Sequence, residues 1–458
     1  MGRKKRKIDE LAADDEAAAE TSAEFKTDLN VAATTETDVA AGGAETTTGN
    51  QKEGAVTTPQ KRPEFTRKCI DFNAGIVAMV QQRLYCRNYR DRRAVQPSID
   101  YARNVLPPSC YGDSPAACIC TRYCHTSVNK NKTPVNVLTW TPEGRRVVTG
   151  SASGEFTLWD GVAFNFETLM TAHDRPIRCM TWSHNEKFLL SGDQAGMVKF
   201  WLPSMTPVNE LQAHKSEDGK HDTVWSISFS PMDARFATCS DNSLIKVWDL
   251  KGTCERTISG HNWDVKSLRW HPTKPILLSG SKDNTVKLWD AKTGQCLNTL
   301  HGHKHTVLRV DWNPNGNWFV SAGRDQLIRL YDLRMMREFQ VYKGHDCEIT
   351  ALAWHPHHER LLCTGDMMGK IMYWNIGLDG PQAVVPFAHE TAIWDLQFHP
   401  VGHVLASCSS DTTTKFWCRS RPGDTLSERA RSSAQTEATE GSLGGMGAGT
   451  GQGFASLP

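Results

Sequence analysis

Seven times between residues 149 and 417, a Ser or Thr is followed ten positions later by a large aromatic residue. This aromatic residue usually ends a run in which apolar and polar positions alternate, the pattern of a β-strand with one buried face. The sequence therefore predicts a β-rich molecule that is built from one repeated unit. The aromatic positions are Trp159, Trp201, Trp248, Trp289, Tyr331, Trp374 and Trp417.

The spacing of the aromatic positions predicts the architecture. Successive positions lie 41 to 47 residues apart, close to the ~40 to 45 residues of one WD40 repeat. The longest interval contains a polar insertion at residues 215–222. We therefore expect an all-β protein, a seven-bladed WD40 β-propeller at residues 117–421.

Six of the blades carry a Gly-His or Ala-His pair upstream of the aromatic position. In a WD blade this His, the Ser or Thr, an Asp and the Trp form a buried hydrogen-bond relay, because unpaired buried polar groups cost ~1 to 3 kcal/mol. We expect the Asp six residues before the aromatic position, which predicts complete relays only in the blades ending at Trp289 and Trp417. A His/Ser/Asp set that recurs in this way indicates architecture rather than catalysis.

An additional strand is predicted before the first blade. Residues 117–126 alternate through Ile119, Thr121 and Tyr123. We expect this segment to complete the last blade, because joining the two ends of the ring removes exposed sheet edges. The remaining domains are then a disordered tail at 1–58, a basic segment with an amphipathic helix and linker at 59–116, and a second disordered tail at 422–458.

The chemistry-bearing residues outside the repeats argue against an enzyme. The 14 cysteines include no Cys-x-x-Cys pair, which favours reduced thiols in an intracellular protein. Neither the trio Cys118, Cys120 and Cys124 nor the histidines at 355, 357 and 358 have zinc-ligand spacing, so no metal or other cofactor is expected. No Gly-rich phosphate loop, nucleophile elbow, secretory signal or membrane-spanning run is present, so we expect neither a small-molecule substrate nor a membrane partner.

The N-terminal region combines two charge patterns. The run from Arg3 to Lys7 is of the kind that nuclear import receptors bind, so the expected location is the nucleus. The net charge of +1 conceals a local excess at residues 59–104, with ten Lys or Arg against four acidic residues. Its first part, Lys61 to Lys68, combines four cations, a proline and Phe65, which suits a single RNA strand.

An amphipathic helix is predicted at about residues 71–93. Its apolar stripe should dock on another surface, and it consists of Ile76, Val77, Val80 and Leu84. The sequence leaves three roles open for the arginines of this stretch: contact with phosphate, contact with an acidic partner, or simple solvation. These arginines are Arg83, Arg87, Arg90, Arg92 and Arg93.

Several motifs outside the repeat spacing resemble one family. They are Thr66-Arg67-Lys68, the stretches at 90–97 and 106–108, Trp140 to Arg146, Gly154 to Trp159, Phe164 to Glu167, and Arg421 to Asp424. Together with the ring, they resemble the WD-repeat subunit of the mRNA cleavage and polyadenylation specificity factor. The resemblance implies a non-catalytic nuclear subunit that recognises the polyadenylation signal hexamer of pre-mRNA with two partners, a zinc-finger subunit and a large multi-propeller scaffold.

The resemblance also implies an RNA-binding site. Arg62 and Arg67 match its basic segment, Lys130 matches its lysine loop, and Phe166 and Leu169 match its first-blade contacts. Lys61, Lys68 and Lys132 are expected neighbours of these residues. Residues 55–60 are neutral, whereas the family usually has denser basic residues there, so hexamer preference is expected to differ.

Without the resemblance, other interpretations are favoured. Phe166 would be a core aromatic residue on an outer strand, and Lys130 and Lys132 would be solvated loop charges. The ring would then be a generic WD scaffold, such as an adaptor of a ubiquitin ligase or a chromatin complex. That alternative gives the charge of Lys61 to Lys68 no role.

Overall fold

The computed structural model describes residues 115–215 and 222–420. In this part of the chain, 28 antiparallel strands form seven four-stranded sheets. The innermost strands of successive sheets contact one another around a central channel, and the innermost strands of the first and last sheets also meet. The predicted seven-bladed, all-β propeller is confirmed.

Each blade runs from an innermost strand at the channel to an outermost strand at the side of the ring. Blade 1 contains β2 (Val135–Trp140), β3 (Arg146–Ser151), β4 (Glu155–Asp160) and β5 (Phe166–Thr171). Blade 2 contains β6 (Ile177–Trp182), β7 (Leu189–Asp193), β8 (Met197–Trp201) and β9 (Pro207–Gln212). Blade 3 contains β10 (Val224–Phe229), β11 (Arg235–Ser240), β12 (Ile245–Asp249) and β13 (Cys254–Ile258). Blade 4 contains β14 (Val265–Trp270), β15 (Ile276–Ser281), β16 (Thr285–Asp290) and β17 (Cys296–His301).

The remaining blades follow the same order. Blade 5 contains β18 (Val307–Trp312), β19 (Trp318–Gly323), β20 (Ile328–Asp332) and β21 (Arg337–Tyr342). Blade 6 contains β22 (Ile349–Trp354), β23 (Leu361–Asp366), β24 (Ile371–Asn375) and β25 (Pro381–Val385). Blade 7 contains β26 (Ile393–Phe398), β27 (Val404–Ser409), β28 (Thr413–Cys418) and, outermost, β1 (Arg122–Val128).

The ring closes through β1, as the sequence predicts. β1 pairs antiparallel with β28, from Arg122 opposite Cys418 to Val128 opposite Thr413. A second closure lies at the channel, where the Leu138 and Trp140 amides of blade 1 donate to side chains of blade 7. The two ends of the propeller are therefore joined at both its inner and outer edges.

The predicted boundary of the closing strand is wrong. The strand begins at Arg122 rather than at residue 117, because β28 ends at Cys418 and offers no backbone partner beyond Arg122. Residues Pro115–Cys118 form a 3-10 turn instead. Of the cysteine trio, only Cys124 lies on β1, where the register shifts by a bulge.

The buried histidines form the predicted relays. In blade 4, His261 Nδ1 lies 2.8 Å from Asp283 Oδ2, and its Nε2 lies 2.6 Å from Ser279 Oγ. The Trp289 indole donates to the same Ser279 oxygen at 2.8 Å. Each polar atom of the relay is therefore paired although the histidine, serine and tryptophan are buried.

Two further blades contain the complete relay, so the prediction that only two blades do so is wrong. Asp193 Oδ2 lies 3.1 Å from His173 Nδ1, and Asp366 Oδ2 lies 3.1 Å from His345 Nδ1. Both aspartates stand eight residues before the aromatic position rather than six. Because each one ends its strand, its carboxylate reaches the histidine from the strand end instead of from the following turn.

Candidate nucleic-acid interface

Phe166 lies on the side of the ring, at the start of the outer strand β5. β5 pairs only with β4 in its sheet, so its side chains have few neighbours. The Phe166 side chain is 45% exposed. Its ring and the Trp159 indole form an edge-to-face pair, with ring centroids 6.0 Å apart. Phe166 is therefore a surface aromatic residue rather than the core residue that composition alone favours.

The preceding aromatic residue holds Phe166 in this position. Phe164 is buried and stacks on Phe416 of blade 7, with ring centroids 4.0 Å apart. The Ser127 hydroxyl of β1 donates to the Phe164 carbonyl at 3.0 Å. Phe164 adopts a positive φ of 58°, which turns the chain into β5. The sequence Phe-Asn-Phe thus gives one anchor and one exposed ring.

The loop between β1 and β2 lies beside the same outer strand. Asn129 Oδ1 accepts a hydrogen bond of 3.5 Å from Thr157, which pairs with Leu169 of β5. The backbone N–H of Asn129 donates to the backbone carbonyl of Thr412, and the backbone carbonyl of Asn129 accepts from the backbone N–H of Lys132. The loop that carries Lys130 and Lys132 is therefore fixed beside Thr157, which lies opposite Leu169, and Phe166 lies opposite Trp159, two residues further along β4.

The two loop lysines are exposed, and no ion pair among residues 115–215 and 222–420 involves either of them. Glu155, the acidic residue at the start of β4, accepts from Asn131 Nδ2 at 2.8 and 2.6 Å. Glu167, next to Phe166, pairs with Arg146 at 2.6 Å. Uncompensated positive charge beside an exposed ring is an arrangement that suits a single-stranded nucleic acid.

Four of the eight predicted site residues thus lie in the described structure: Lys130, Lys132, Phe166 and the partly buried Leu169. The other four, Lys61, Arg62, Arg67 and Lys68, lie outside the described residues. The predicted helix at 71–93, the import-like run and both tails lie outside them as well.

Sequence reasoning did not single out Asn129 and Asn131, which hold the lysine loop through side-chain hydrogen bonds. The signal in the sequence was weak, since asparagine is common in any turn. The partner of Asn129 is Thr157 and the partner of Asn131 is Glu155, and both partners lie on β4, more than twenty residues away in sequence. Only the fold brings these groups together.

The other chemistry-bearing clusters are engaged in structural contacts. His355 and His357 Nε2 lie 3.0 Å from the carbonyls of Gly402 and Pro400, and His358 Nε2 lies 3.0 Å from Cys118 Sγ. No group of three or more potential metal ligands occurs among the described residues. Within the same residues, no helix has the length and apolar character needed to cross a bilayer.

The relay serines are closed to substrates. Ser279 is fully buried, its oxygen receives the Trp289 indole N–H, and it contacts the buried His261. A nucleophile must be reached by its substrate and be free to attack it. These sets therefore hold blades together.

Comparison with known proteins agrees with the fold. The WD domain, G-beta repeat family matches at residues 117–160, 165–201, 205–249, 252–290, 294–332, 336–375 and 381–418. Each of the seven segments contains the outermost strand of one blade and the three inner strands of the next, and the first begins with the closing strand β1 of blade 7.

Individual relatives give the more specific result. Polyadenylation factor subunit 2 of Neurospora crassa is 40% identical over 78% of this chain and 58% of its own length. The protein of the same name from Cryptococcus neoformans is 46% identical over 79% of this chain and 51% of its own length. The Schizosaccharomyces pombe protein is 39% identical over 83% of this chain and 79% of its own length. The chain thus spans just over half the length of the first two, and it belongs to the polyadenylation factor subunit 2 family of WD-repeat proteins.

Proposed function

We propose that this chain is a non-catalytic subunit of the nuclear pre-mRNA 3′-end cleavage and polyadenylation machinery. In this role it helps to recognise the polyadenylation signal hexamer and holds partner subunits. The names of its relatives support the process. The observation that carries the RNA-binding role is the exposed Phe166 ring on β5, whose neighbour β4 is hydrogen-bonded to the lysine loop through Thr157, an arrangement that ring architecture alone does not require.

The chemistry of this surface fits an RNA strand. A planar ring stacks on a base for ~1 to 3 kcal/mol, and lysines neutralise phosphates or donate to base edges. Leu169 adds an apolar contact next to Phe166 on the same strand. In this proposal, Lys61, Arg62, Arg67 and Lys68 supply the remaining cations along the strand.

Protein partners complete the proposed role. A large multi-propeller scaffold and a zinc-finger subunit would read the hexamer jointly with this chain, as the family resemblance implies. The proposed RNA-binding surface lies on the side of the ring, at blades 1 and 7, so the partners would contact other surfaces of the propeller. The chain would position RNA while other subunits cut and polymerise.

The test is binding of a labelled hexamer RNA and a scrambled control to the chain mixed with both partners. Wild type is compared with Phe166→Ala and with a control, Phe339→Ala. Phe339 is also exposed, at 42%, and lies on the outer strand of blade 5. We expect Phe166→Ala to weaken hexamer binding by ~1 to 3 kcal/mol and Phe339→Ala to leave it unchanged.

The outcomes separate the candidate functions. Loss of hexamer preference in an intact complex supports the reader role. Unchanged preference with Phe166→Ala limits this chain to a scaffold within the machinery. If the chain does not assemble with these partners at all, the generic WD adaptor becomes the better hypothesis.

A further inference from the structure

His125 lies on the face of β1 that turns toward blade 1. Its ring stacks on the ring of Phe164, with centroids 6.0 Å apart and 26° between the two planes. Ser127, two residues further along β1, points the same way, because its hydroxyl donates to the Phe164 carbonyl at 3.0 Å. Both side chains of β1 therefore face the surface between β1 and β5, which we call the seam.

Phe166 faces the seam from the opposite wall. Its ring forms an edge-to-face pair with Trp159, and Trp159 belongs to a buried cluster that includes Phe164 and, from blade 7, Phe416. Phe166 lies opposite the aromatic position of its blade, and His125 lies opposite Phe416, the residue just before the aromatic position of blade 7. The rings of His125 and Phe166 are therefore at nearly the same height in the propeller.

The imidazole of His125 has unused hydrogen-bonding capacity. Its side chain is partly exposed, and among residues 115–215 and 222–420 neither of its ring nitrogens has a hydrogen-bond or ion-pair partner. The relay histidines differ, since both nitrogens of His261 are occupied. Burial lowers the pKa of His125, so at physiological pH the ring is neutral, with one nitrogen that donates and one that accepts.

A neutral imidazole at this place suits the edge of a nucleic-acid base. Single-stranded RNA is recognised by stacking of its bases on aromatic rings together with hydrogen bonds to the base edges. The ammonium groups of Lys130 and Lys132 can only donate, whereas His125 can both donate and accept. The seam thus combines a stacking ring on β5 with a group on β1 that can distinguish one base from another.

We propose that His125 is a further RNA-contacting residue, which selects the base at the hexamer position that stacks on Phe166. The ring nitrogens of His125 form hydrogen bonds with the edge of that base, while the stacked ring of Phe164 holds the imidazole in place. This assignment rests on the proposed function and deepens it, because it names a residue that determines specificity.

The test is binding of labelled RNAs, with each hexamer base replaced in turn, to the full chain in complex with both partners. His125→Phe keeps a ring on Phe164 but removes both nitrogens. We expect discrimination to fall about three- to tenfold at one hexamer position, the size of effect typical of one lost hydrogen bond. That position should be the one where Phe166→Ala has its largest effect. Tryptophan fluorescence on heating checks folding, and His125→Leu, which also lacks ring nitrogens, replaces His125→Phe if the latter does not fold.

Controls separate base recognition from packing and from charge. His301→Phe changes an exposed histidine on the outer strand of blade 4 and should leave every affinity unchanged. His125→Gln keeps a side chain that both donates and accepts, and should retain most of the discrimination. Because a neutral ring releases no counterions from RNA, His125→Phe should leave the salt dependence of binding unchanged.

The outcomes distinguish failure of this assignment from failure of the proposed function. If Phe166→Ala weakens hexamer binding but His125→Phe keeps full discrimination at every position, the RNA-binding role stands and the assignment of His125 is wrong. A loss that is uniform over all six positions, or that His125→Gln shows equally, would give the ring only a packing role and would also overturn it. If neither Phe166→Ala nor His125→Phe changes binding, both proposals fail.

Discussion

At the scale of single residues, the relays depend on where a carboxylate lies in space rather than on its position in the repeat. Asp283 reaches its histidine from the turn after a strand, whereas Asp366 reaches its own from the strand end. Met368 occupies the position expected for Asp, but its side chain is 65% exposed, and only its backbone amide donates to Asp366. A side chain at either position can satisfy the same buried nitrogen.

This geometry predicts unequal effects of two neighbouring substitutions. Asp366→Asn should lower the free energy of unfolding by ~1 to 3 kcal/mol, because it disturbs a buried hydrogen-bonded group. Met368→Ala should stay within ~0.5 kcal/mol of wild type, as exposed substitutions usually do. Urea denaturation followed by tryptophan fluorescence checks both. Equal effects would contradict the assignment of Asp366 to the relay.

The relay of blade 7 predicts a loss of stability in acid. Burial alone would raise the pKa of Asp411, but hydrogen bonds from His389 and Thr413 hold it below its ordinary value. A carboxylate whose pKa is lower in the folded than in the unfolded protein contributes its full stabilisation above its unfolded pKa of ~3.9. This contribution is lost as the pH falls from there through the lower folded pKa. Burial also lowers the pKa of His389, so stability already declines below about pH 6.5.

We therefore expect the unfolding midpoint to fall gradually below about pH 6.5 and more steeply below about pH 4. Asp411→Asn should lower the thermal unfolding midpoint at neutral pH. It should also make the midpoint depend less on pH below about pH 4, because the titrating carboxylate is gone. Thermal unfolding from acidic to neutral pH measures this. A variant with the same slope as wild type in the most acidic range would exclude Asp411 as a source of the acid sensitivity.

At the scale of elements, outer strands have different tasks. β5 has one neighbour in its sheet, and this leaves Phe166 exposed. β1 also has one neighbour, but it joins the two ends of the ring and buries Cys124 and Ser127. The same edge position thus leaves an aromatic side chain exposed in one blade and closes the ring in another.

Closure by β1 predicts the outcome of two truncations. A chain that starts at Pro115 should keep a cooperative unfolding transition, whereas one that starts at Asn129 leaves β28 with an open edge. We expect the chain that starts at Asn129 to unfold at a midpoint temperature roughly 10 °C or more below that of the chain that starts at Pro115. Each kcal/mol of unfolding free energy that is lost lowers this midpoint by a few degrees. Calorimetry measures both, and equal midpoints would show that closure at the channel is sufficient.

At the scale of the whole molecule, the proposal assigns phosphate contacts both to the lysine loop of the propeller and to the basic residues 61–68. Phosphate contacts release counterions, so log K on single strands should fall by ~0.7 per neutralised phosphate for each tenfold rise in salt. Arg67→Ala should reduce this slope, whereas Phe166→Ala should weaken binding similarly at every salt concentration. RNA titrations of the partner complex from low to high salt distinguish these effects. A slope unaffected by Arg67→Ala would remove that residue from the site.

The sequence by itself determined the seven blades, the ring aromatics and the use of an N-terminal strand for closure, because each depends on local periodicity and on pairing that the repeat enforces. Motif resemblance named Lys130, Lys132, Phe166 and Leu169, but residue type could not show whether the ring of Phe166 is buried or exposed.

Only the tertiary structure decided that exposure, since it depends on which strand lies outermost and on Phe164 anchoring the turn. It also moved the start of β1 to Arg122 and brought Asp193 and Asp366 into their relays. The physical reason is common to all three. Contacts between residues distant in sequence fix side-chain environment and strand ends, and a periodic pattern contains no information about them.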